Sequence, residues 1–385
     1  MRLRFLTSTP LNISRGSGTY IGITALAKAI ENLGVSLELL TPSLQLPVYT
    51  ATRLLFNQSL RFRRLSPCDA TIGFDMDGYT LASPAPGLHI ASIKGLIADE
   101  MRFESGLTQA TMRLQAACER AHVHRAHAVI TTSQYSAQRI QSLYQLAKAP
   151  HIVPELIDLS AWHELLRRAP SSPQNGMPHI SPVLRDVGTT AARFTVLSVA
   201  RFYPRKRLDV LLRAAARLRP RIPNLEVRIV GGGPEQARLK RICQEEHLEG
   251  IVTWRENISQ QELVREYKQC HVFCLPSVQE GFGIVFLEAM ASGKPIVAAR
   301  AAAVPEVVQH GLLVEPDNDE ALAAAIERLY REDSLCNSLA SAGAEFVKRF
   351  DAPLVARSFL RVVEEEREKL RTTGASLPFV ADAHS

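Results

Sequence analysis

Two carboxylates and two glycines crowd one short stretch of the chain: Cys274-Leu-Pro-Ser-Val-Gln-Glu-Gly-Phe-Gly-Ile-Val-Phe-Leu-Glu-Ala-Met-Ala-Ser-Gly-Lys-Pro-Ile-Val-Ala298. The pattern predicts strand, turn, helix, turn, strand. Gly281 and Gly283 bracket the helix start, where amide N–H groups lack intrahelical partners and attract an anion. Glu280 precedes the helix and Glu288 lies inside it. Carboxylates beside an anion site would repel bare phosphate. They suit a ligand with hydroxyls at both ends of a diphosphate, because a carboxylate accepts two hydrogen bonds from a vicinal diol. A nucleotide sugar has that form. A second cluster, Ser198-Val-Ala-Arg-Phe-Tyr-Pro-Arg-Lys-Arg-Leu-Asp209, places Arg201, Arg205, Lys206 and Arg207 just after a strand. Cations there neutralise a departing diphosphate. Two more glycine turns, Val230-Gly-Gly-Gly-Pro-Glu235 and Ser14-Arg-Gly-Ser-Gly-Thr19, also join a strand to a helix. Neither is G-x-G-x-x-G or a Walker loop, so a nicotinamide dinucleotide fold and a P-loop are unsupported.

Other chemistry-bearing groups read as structure. Cys270 and Cys274 flank a buried strand and are too few for a structural zinc site. His122, His124 and His127 end a helix and are expected at the surface. Asp75-Met-Asp77 resembles a metal-binding Asp-x-Asp but reads as a loop after a strand. The basic, amphipathic segment Ala51–Leu65 is expected to be a helix packed on its own domain; its alternative use is contact with an anionic membrane or a lipid acceptor.

The elements that must hold these groups alternate short apolar runs with helical periodicity, which predicts an α/β fold with parallel sheets. Strands are expected at Leu3–Thr7, Val35–Leu40, Ala70–Phe74, His89–Ile93, Ala128–Thr132 and His151–Val153, and at Phe194–Ala200, Leu225–Val230, Ile251–Trp254, Val272–Leu275, Pro295–Ala299 and Leu312–Val314. Helices are expected at Thr19–Asn32, Leu107–Ala126 and Ser136–Leu146, then near 207–219, 234–247, 260–269, 284–292, 319–331, 334–349 and 353–370. Ser259 and Glu262 form a capping-box pattern. The turn-rich run 169–178 reads as a linker. Residues 1–168, with helix 353–370 packing back, make one Rossmann-like domain, 190–350 a second, and 371–385 a tail. Ligands of such sheets bind beyond the carboxyl ends of the strands, so a cleft between two facing halves is the expected site.

With 385 residues, 46% hydrophobic and 22% charged, the chain is neither disordered nor fibrous. Its 45 basic and 39 acidic side chains give a net charge of +6. That mild excess fits an anionic ligand or membrane surface, and its even spread argues against nucleic acid. Six cysteines are no disulfide scaffold. No signal-peptide core or run of about 18 apolar residues occurs, so the expected location is the cytoplasm, with the inner face of the membrane as its peripheral contact.

The Glu280…Glu288 pair enclosing Glu-Gly-Phe-Gly, the Val-Ala-Arg-Phe-Tyr-Pro-Arg-Lys segment and Val-Gly-Gly-Gly-Pro-Glu together resemble the retaining glycosyltransferases of family 4, which have the GT-B fold. The resemblance is strongest over 194–316 and continuous but weaker over 1–160. It implies transfer of a hexose from a nucleotide diphosphate sugar, carrying uridine or guanosine, to a hydroxyl of a glycan, lipid or small molecule, with retention and without a metal or other cofactor. It implies that Arg201 and Lys206 hold the donor diphosphate, that Glu288 binds the ribose and that Glu280 touches the transferred sugar. The amides of Gly281, Phe282, Gly283, Ile284 and Val285 would contact sugar or phosphate, and Gly16 or Gly18 would approach the diphosphate from the first domain. Three departures stand out. Lys94 occupies the place of a family histidine in His89-Ile-Ala-Ser-Ile-Lys-Gly95, and is expected to contact donor phosphate or acceptor. Glu155-Leu156 alters a turn that usually reads Asn-Gly-Val-Asp. Ala301-Ala-Ala-Val-Pro-Glu306 lacks the usual glycines, and His310-Gly-Leu-Leu-Val314 is short. The rival readings are an epimerase or hydrolase of nucleotide sugars on the same fold and a non-catalytic sugar-nucleotide-binding module.

Overall fold

The computed structural model describes residues 1–9, 18–81, 87–170 and 193–373. The chain divides into two compact units, 1–156 with 352–385, and 157–351.

The first unit contains β1 (Arg2–Leu6), α1 (Gly18–Asn32), β2 (Ser36–Leu40), α2 (Tyr49–Leu60), β3 (Ala70–Phe74), β4 (Leu88–Ile93), a short α3 (Ile97–Glu100), α4 (Gly106–Arg125), β5 (Ala128–Thr131), α5 (Gln134–Tyr144) and β6 (His151–Ile152). Its sheet is parallel throughout, in the order β2-β1-β3-β4-β5-β6. Strands covered on both faces become continuous apolar runs; β3, Ala-Thr-Ile-Gly-Phe, is buried at every position. The core gathers Leu3, Phe5, Ile72, Phe74 and Ile90 against Ile23, Leu26 and Ile30 of α1.

The second unit contains α6 (Leu159–Arg168), β7 (Phe194–Val199), α7 (Leu208–Leu218), β8 (Leu225–Val230), α8 (Gln236–Glu245), β9 (Val252–Arg255), α9 (Gln260–Gln269), β10 (Val272–Leu275), α10 (Ile284–Ala291), β11 (Ile296–Ala299), a short α11 (Val304–Val307), β12 (Leu312–Val314), α12 (Asp319–Arg331) and α13 (Asp333–Phe346). Its sheet order is β12-β11-β10-β7-β8-β9, again all parallel. The chain leaves β7 toward β8 and β9 and later builds β10 on β7's other edge. The gap between the carboxyl ends of β7 and β10 is therefore the topological switch point, where such sheets take ligands. Local chemistry sets the helix starts: Ser259 Oγ accepts from the Glu262 amide at 3.2 Å, and the Ser259 amide donates to Glu262 at 2.8 Å. The last helix, α14 (Ala352–Thr373), belongs to the first unit, with Val355, Ala356, Phe359 and Val363 in its core.

Two expectations are corrected, the place of α6 and the burial of His122, and one, a helix packed on its own domain around Arg53, is met. Helix α6 was assigned to the first domain, yet Leu159 and Trp162 sit in the second core, where the Trp162 indole donates to Ser292 at 3.0 Å. The segment around Arg53 forms α2, with Thr52, Arg53, Phe56, Asn57 and Leu60 buried. His122 is fully buried rather than at the surface, while His124 is exposed. Its Nδ1 donates to the Asp75 carbonyl at 2.6 Å, and its Nε2 meets His89 Nε2 at 2.9 Å. Desolvation pushes His122 down to about 4, so the two rings are a neutral hydrogen-bonded pair. The linker 171–178 and the tail beyond 373 lie outside the described residues.

Candidate functional site

The loops leaving β7 and β10 are stitched together by backbone and side chain. The Val278 amide and the Ser277 hydroxyl both donate to the Arg205 carbonyl, at 2.9 and 3.2 Å. This brings Lys206 Nζ to 2.6 Å from Glu280 Oε1, with both side chains largely buried. Two of the residues singled out by sequence thus form one ion pair. Arg201 lies on the same loop, half-buried, and among the described residues no hydrogen bond or ion pair engages its guanidinium. Ser198 Oγ and Gln279 Oε1, one at the end of β7 and one beside Glu280, are buried without a hydrogen-bond partner.

The glycine turn after β8 explains how the Arg201 loop is shaped. Gly231, at φ +133°, would place a Cβ 1.9 Å from the Ala200 carbonyl oxygen, and Gly233 would place one 2.7 Å from the Phe202 nitrogen. Without side chains the turn lets Phe202 donate to Gly232 O and accept from the Glu235 amide, each at 3.0 Å. Gly231 and Gly233 thus serve close backbone packing here.

Gly283 caps α10 at φ +93°, and a Cβ there would meet the Phe286 ring at 2.6 Å. The chain therefore turns sharply into the helix, and the first-turn amides, Ile284 and Val285 among them, have no partner inside it. The Phe282 ring points into the core, 5.5 Å from Phe350, so only its backbone faces the turn. One turn on, Glu288 is buried and accepts from the Tyr267 hydroxyl at 2.8 Å. Burial pushes the Glu288 carboxyl up to about 7, and the Tyr267 bond partly offsets this; burial and the neighbouring carboxylate push the Tyr267 phenol well up. Tyr267 escaped the sequence reading. Its place on the inward face of α9 predicted burial, and a buried phenol needs a partner, but nothing local named Glu288, twenty-one residues away.

Lys94 and Gly18 belong to the first unit, and Gly16 lies outside the described residues. Gly18 opens α1. Lys94 Nζ pairs with Glu155 Oε1 at 3.0 Å, both buried, while Glu155 Oε2 has no hydrogen-bond partner. Oε2 lies against α1, where a Cβ on Gly22 would come within 2.4 Å of it. The Lys94 and Gly95 amides donate to Asp75 at 2.9 and 3.3 Å. Asp75 and Asp77 are both spent on internal contacts: Asp77 accepts from Ser8 and Asn57, and Arg53 lies 3.8 and 4.0 Å from Asp77 and Asp75. Among the described residues no group of three or more His, Cys, Asp or Glu side chains is arranged for a metal ion.

Residues 185–346 match the family model described as glycosyl transferases group 1. Among curated proteins, the chain is 33% identical over 165 residues to a GDP-mannose-dependent alpha-(1-6)-phosphatidylinositol monomannoside mannosyltransferase of Mycobacterium tuberculosis, covering 40% of this chain and 43% of that one. It is 32% identical over 194 residues to a D-inositol 3-phosphate glycosyltransferase of Nocardioides, covering 46% and 42%. The chain thus spans less than half the length of these two relatives. Among solved structures, sucrose-phosphate synthase from Thermosynechococcus elongatus superposes with a TM-score of 0.75 at 20% identity, over 94% of this chain and 98% of that one. HepE of Anabaena, solved with UDP and glucose, gives 0.70 at 19% identity, over 95% and 100%.

Proposed function

On the premise that the second unit belongs to the glycosyl transferases group 1 and that the chain has the GT-B fold, we propose that this protein moves a hexose from a nucleotide diphosphate sugar to an acceptor hydroxyl, with retention of configuration. The observation that carries the reading is the Lys206–Glu280 pair beside the α10 N-terminus, at the switch point between β7 and β10. A lysine already paired with a carboxylate has its charge balanced. An arriving diphosphate competes for that ammonium, and Glu280 is then available to accept from sugar hydroxyls. Arg201, Lys206 and the first amides of α10 stabilise the charge that grows on the diphosphate as it leaves. Glu288, at the inner end of the same turn, accepts from the ribose. The bond from the anomeric carbon to the diphosphate oxygen breaks while the acceptor oxygen bonds to that carbon on the same face. The acceptor's proton passes to the departing phosphate oxygen, so the step needs no protein base.

The names of the curated relatives suggest mannose from GDP-mannose and an inositol-containing or lipid-linked acceptor as the first substrates to try. Structures bearing UDP make uridine donors the second set. Peripheral contact with a membrane is proposed separately, from a surface of the first unit. The experiment is a thermal-shift screen of GDP, UDP and their sugars, followed by nucleoside diphosphate release with pooled acceptors. Saturation at about a hundredfold above Kd stabilises the protein by about 2.7 kcal/mol. Release that depends on acceptor, with a product of unchanged anomeric configuration, supports the reading. Release without acceptor, or no shift with any nucleotide, overturns it.

A further inference from the structure

The first unit carries an exposed surface that is both basic and apolar. Between Glu38 and Asp69 the sequence has no acidic residue. Helix α2 turns Arg53 and Phe56 inward, but Leu55 is 56% exposed, and just past the helix Phe62 is 86% exposed, flanked by Arg61, Arg63 and Arg64. Leu44 and Val48, which lead into the helix, are exposed as well. Helix α4 is tied to α2 by Gln115, which accepts from Arg53 at 3.0 Å and donates to Thr50 at 2.8 Å. It also exposes Leu107 and Leu114, together with Arg113 and Arg120. The one carboxylate of α4, Glu119, is fully buried and accepts from Tyr144 and from the Ile97 amide.

Exposed large apolar side chains set among arginines, with no outward carboxylate on either helix, match one partner chemistry. Arginines are held by anionic headgroups while Leu and Phe side chains enter the acyl boundary. We propose that the outer face of α2, the Arg61-Phe62-Arg63-Arg64 run after it and the exposed face of α4 dock on an anionic lipid bilayer. No helix among the described residues is long and apolar enough to cross a membrane, so the contact is peripheral. The docking surface stands on its own observations. Its use in reaching a lipid-borne acceptor rests on the glycosyltransferase reading.

The test is co-sedimentation of the full chain with vesicles of phosphatidylcholine alone or with about one third phosphatidylglycerol, at about 50 and about 500 mM salt. Binding is expected to the anionic vesicles only and to weaken in high salt. Each arginine near the surface is worth about a fivefold factor, so R61S/R63S/R64S should reduce binding about a hundredfold, and Phe62→Ser should reduce it with charge unchanged. K240S/R241S, which removes exposed cations from α8 of the second unit, should bind as the unaltered chain does. Circular dichroism confirms that each variant is folded. Absence of binding, equal binding to neutral vesicles, an unaffected Phe62→Ser, or an equal loss in K240S/R241S each overturns the proposal. The readout contains no nucleotide, so a failed donor screen leaves it standing.

Discussion

Replacing Glu288 by glutamine removes a proton-binding group from the interior of the second unit and leaves an amide oxygen that can still accept from Tyr267. Burial raises this carboxyl from 4.5 to about 7 in the folded chain. Between those values the unfolded chain has released its proton while the folded chain still holds it. Folding is therefore weakened as pH rises through this window, by about 1.4 kcal/mol per unit, and the loss is complete above the folded value. Over the whole window the difference is about 3 kcal/mol. Glutamine has no such term. The stability of Glu288→Gln relative to the parent should therefore climb by about that amount between pH 4.5 and about 7, then stay level. The chain's two tryptophans, Trp162 and Trp254, both lie in the second unit, so urea titrations followed by their fluorescence report this unit's unfolding. A stability difference that does not change across the window refutes the reasoning. The same carboxylate should bind ribose only when ionised. Nucleotide affinity of the parent should then rise about tenfold per pH unit below about 7 and level off above, whereas the variant should be weak and flat.

Lys206→Met strands Glu280 in a largely buried place and should cost about 3–5 kcal/mol; adding Glu280→Leu should restore stability in denaturant titrations but not nucleotide binding. Gly283→Ala forces a left-handed backbone onto an L-residue and drives its Cβ toward the Phe286 ring. A loss of about 1–3 kcal/mol, with weaker binding of nucleoside diphosphates by calorimetry, is expected. Lys94→Met should destabilise the first unit by leaving Glu155 unpaired, by about 3–5 kcal/mol. The double variant K94M/E155L should regain stability and still lack turnover, and full turnover in that variant would remove Lys94 from the reaction.

What was legible in the sequence follows from where the determining contacts lie. Strands β8, β10 and β12 were read to the residue: β10, covered on both faces, is a continuous apolar run, β8 alternates apolar residues with Glu226 and Arg228, β12 is three apolar residues at the sheet edge, and a glycine or proline follows or precedes each. Helix α9 was equally plain, since its cap is closed by residues three apart. The Glu280…Glu288 pattern and the Arg201–Lys206 loop were legible for the same reason: their chemistry is written over a dozen consecutive residues. Their union was not. The Lys206–Glu280 pair joins loops seventy-four residues apart, and Tyr267 meets Glu288 only because α9 and α10 flank the same strand.

Helix α2 shows why buried polar groups escape a window of sequence. Arg53 and Arg61 are the same residue type on the same short segment, and amphipathic spacing sends both outward. Arg53 instead turns inward to Gln115 and to Asp75 and Asp77, beyond a strand and more than twenty residues away. His122 is buried by the same logic, since its Nδ1 finds the Asp75 carbonyl and its Nε2 finds His89. In each case desolvation, which should expel the group, is offset by partners that only the completed sheet supplies. Arg61 finds no such cage, and neither do Arg63 and Arg64, whose neighbours in sequence are Phe62 and Leu65. The inner face of α2 is therefore explained by the protein itself. The apolar outer face of α2 and the Arg61-Phe62-Arg63-Arg64 run that follows it are cationic and apolar together, and an anionic lipid surface complements both at once.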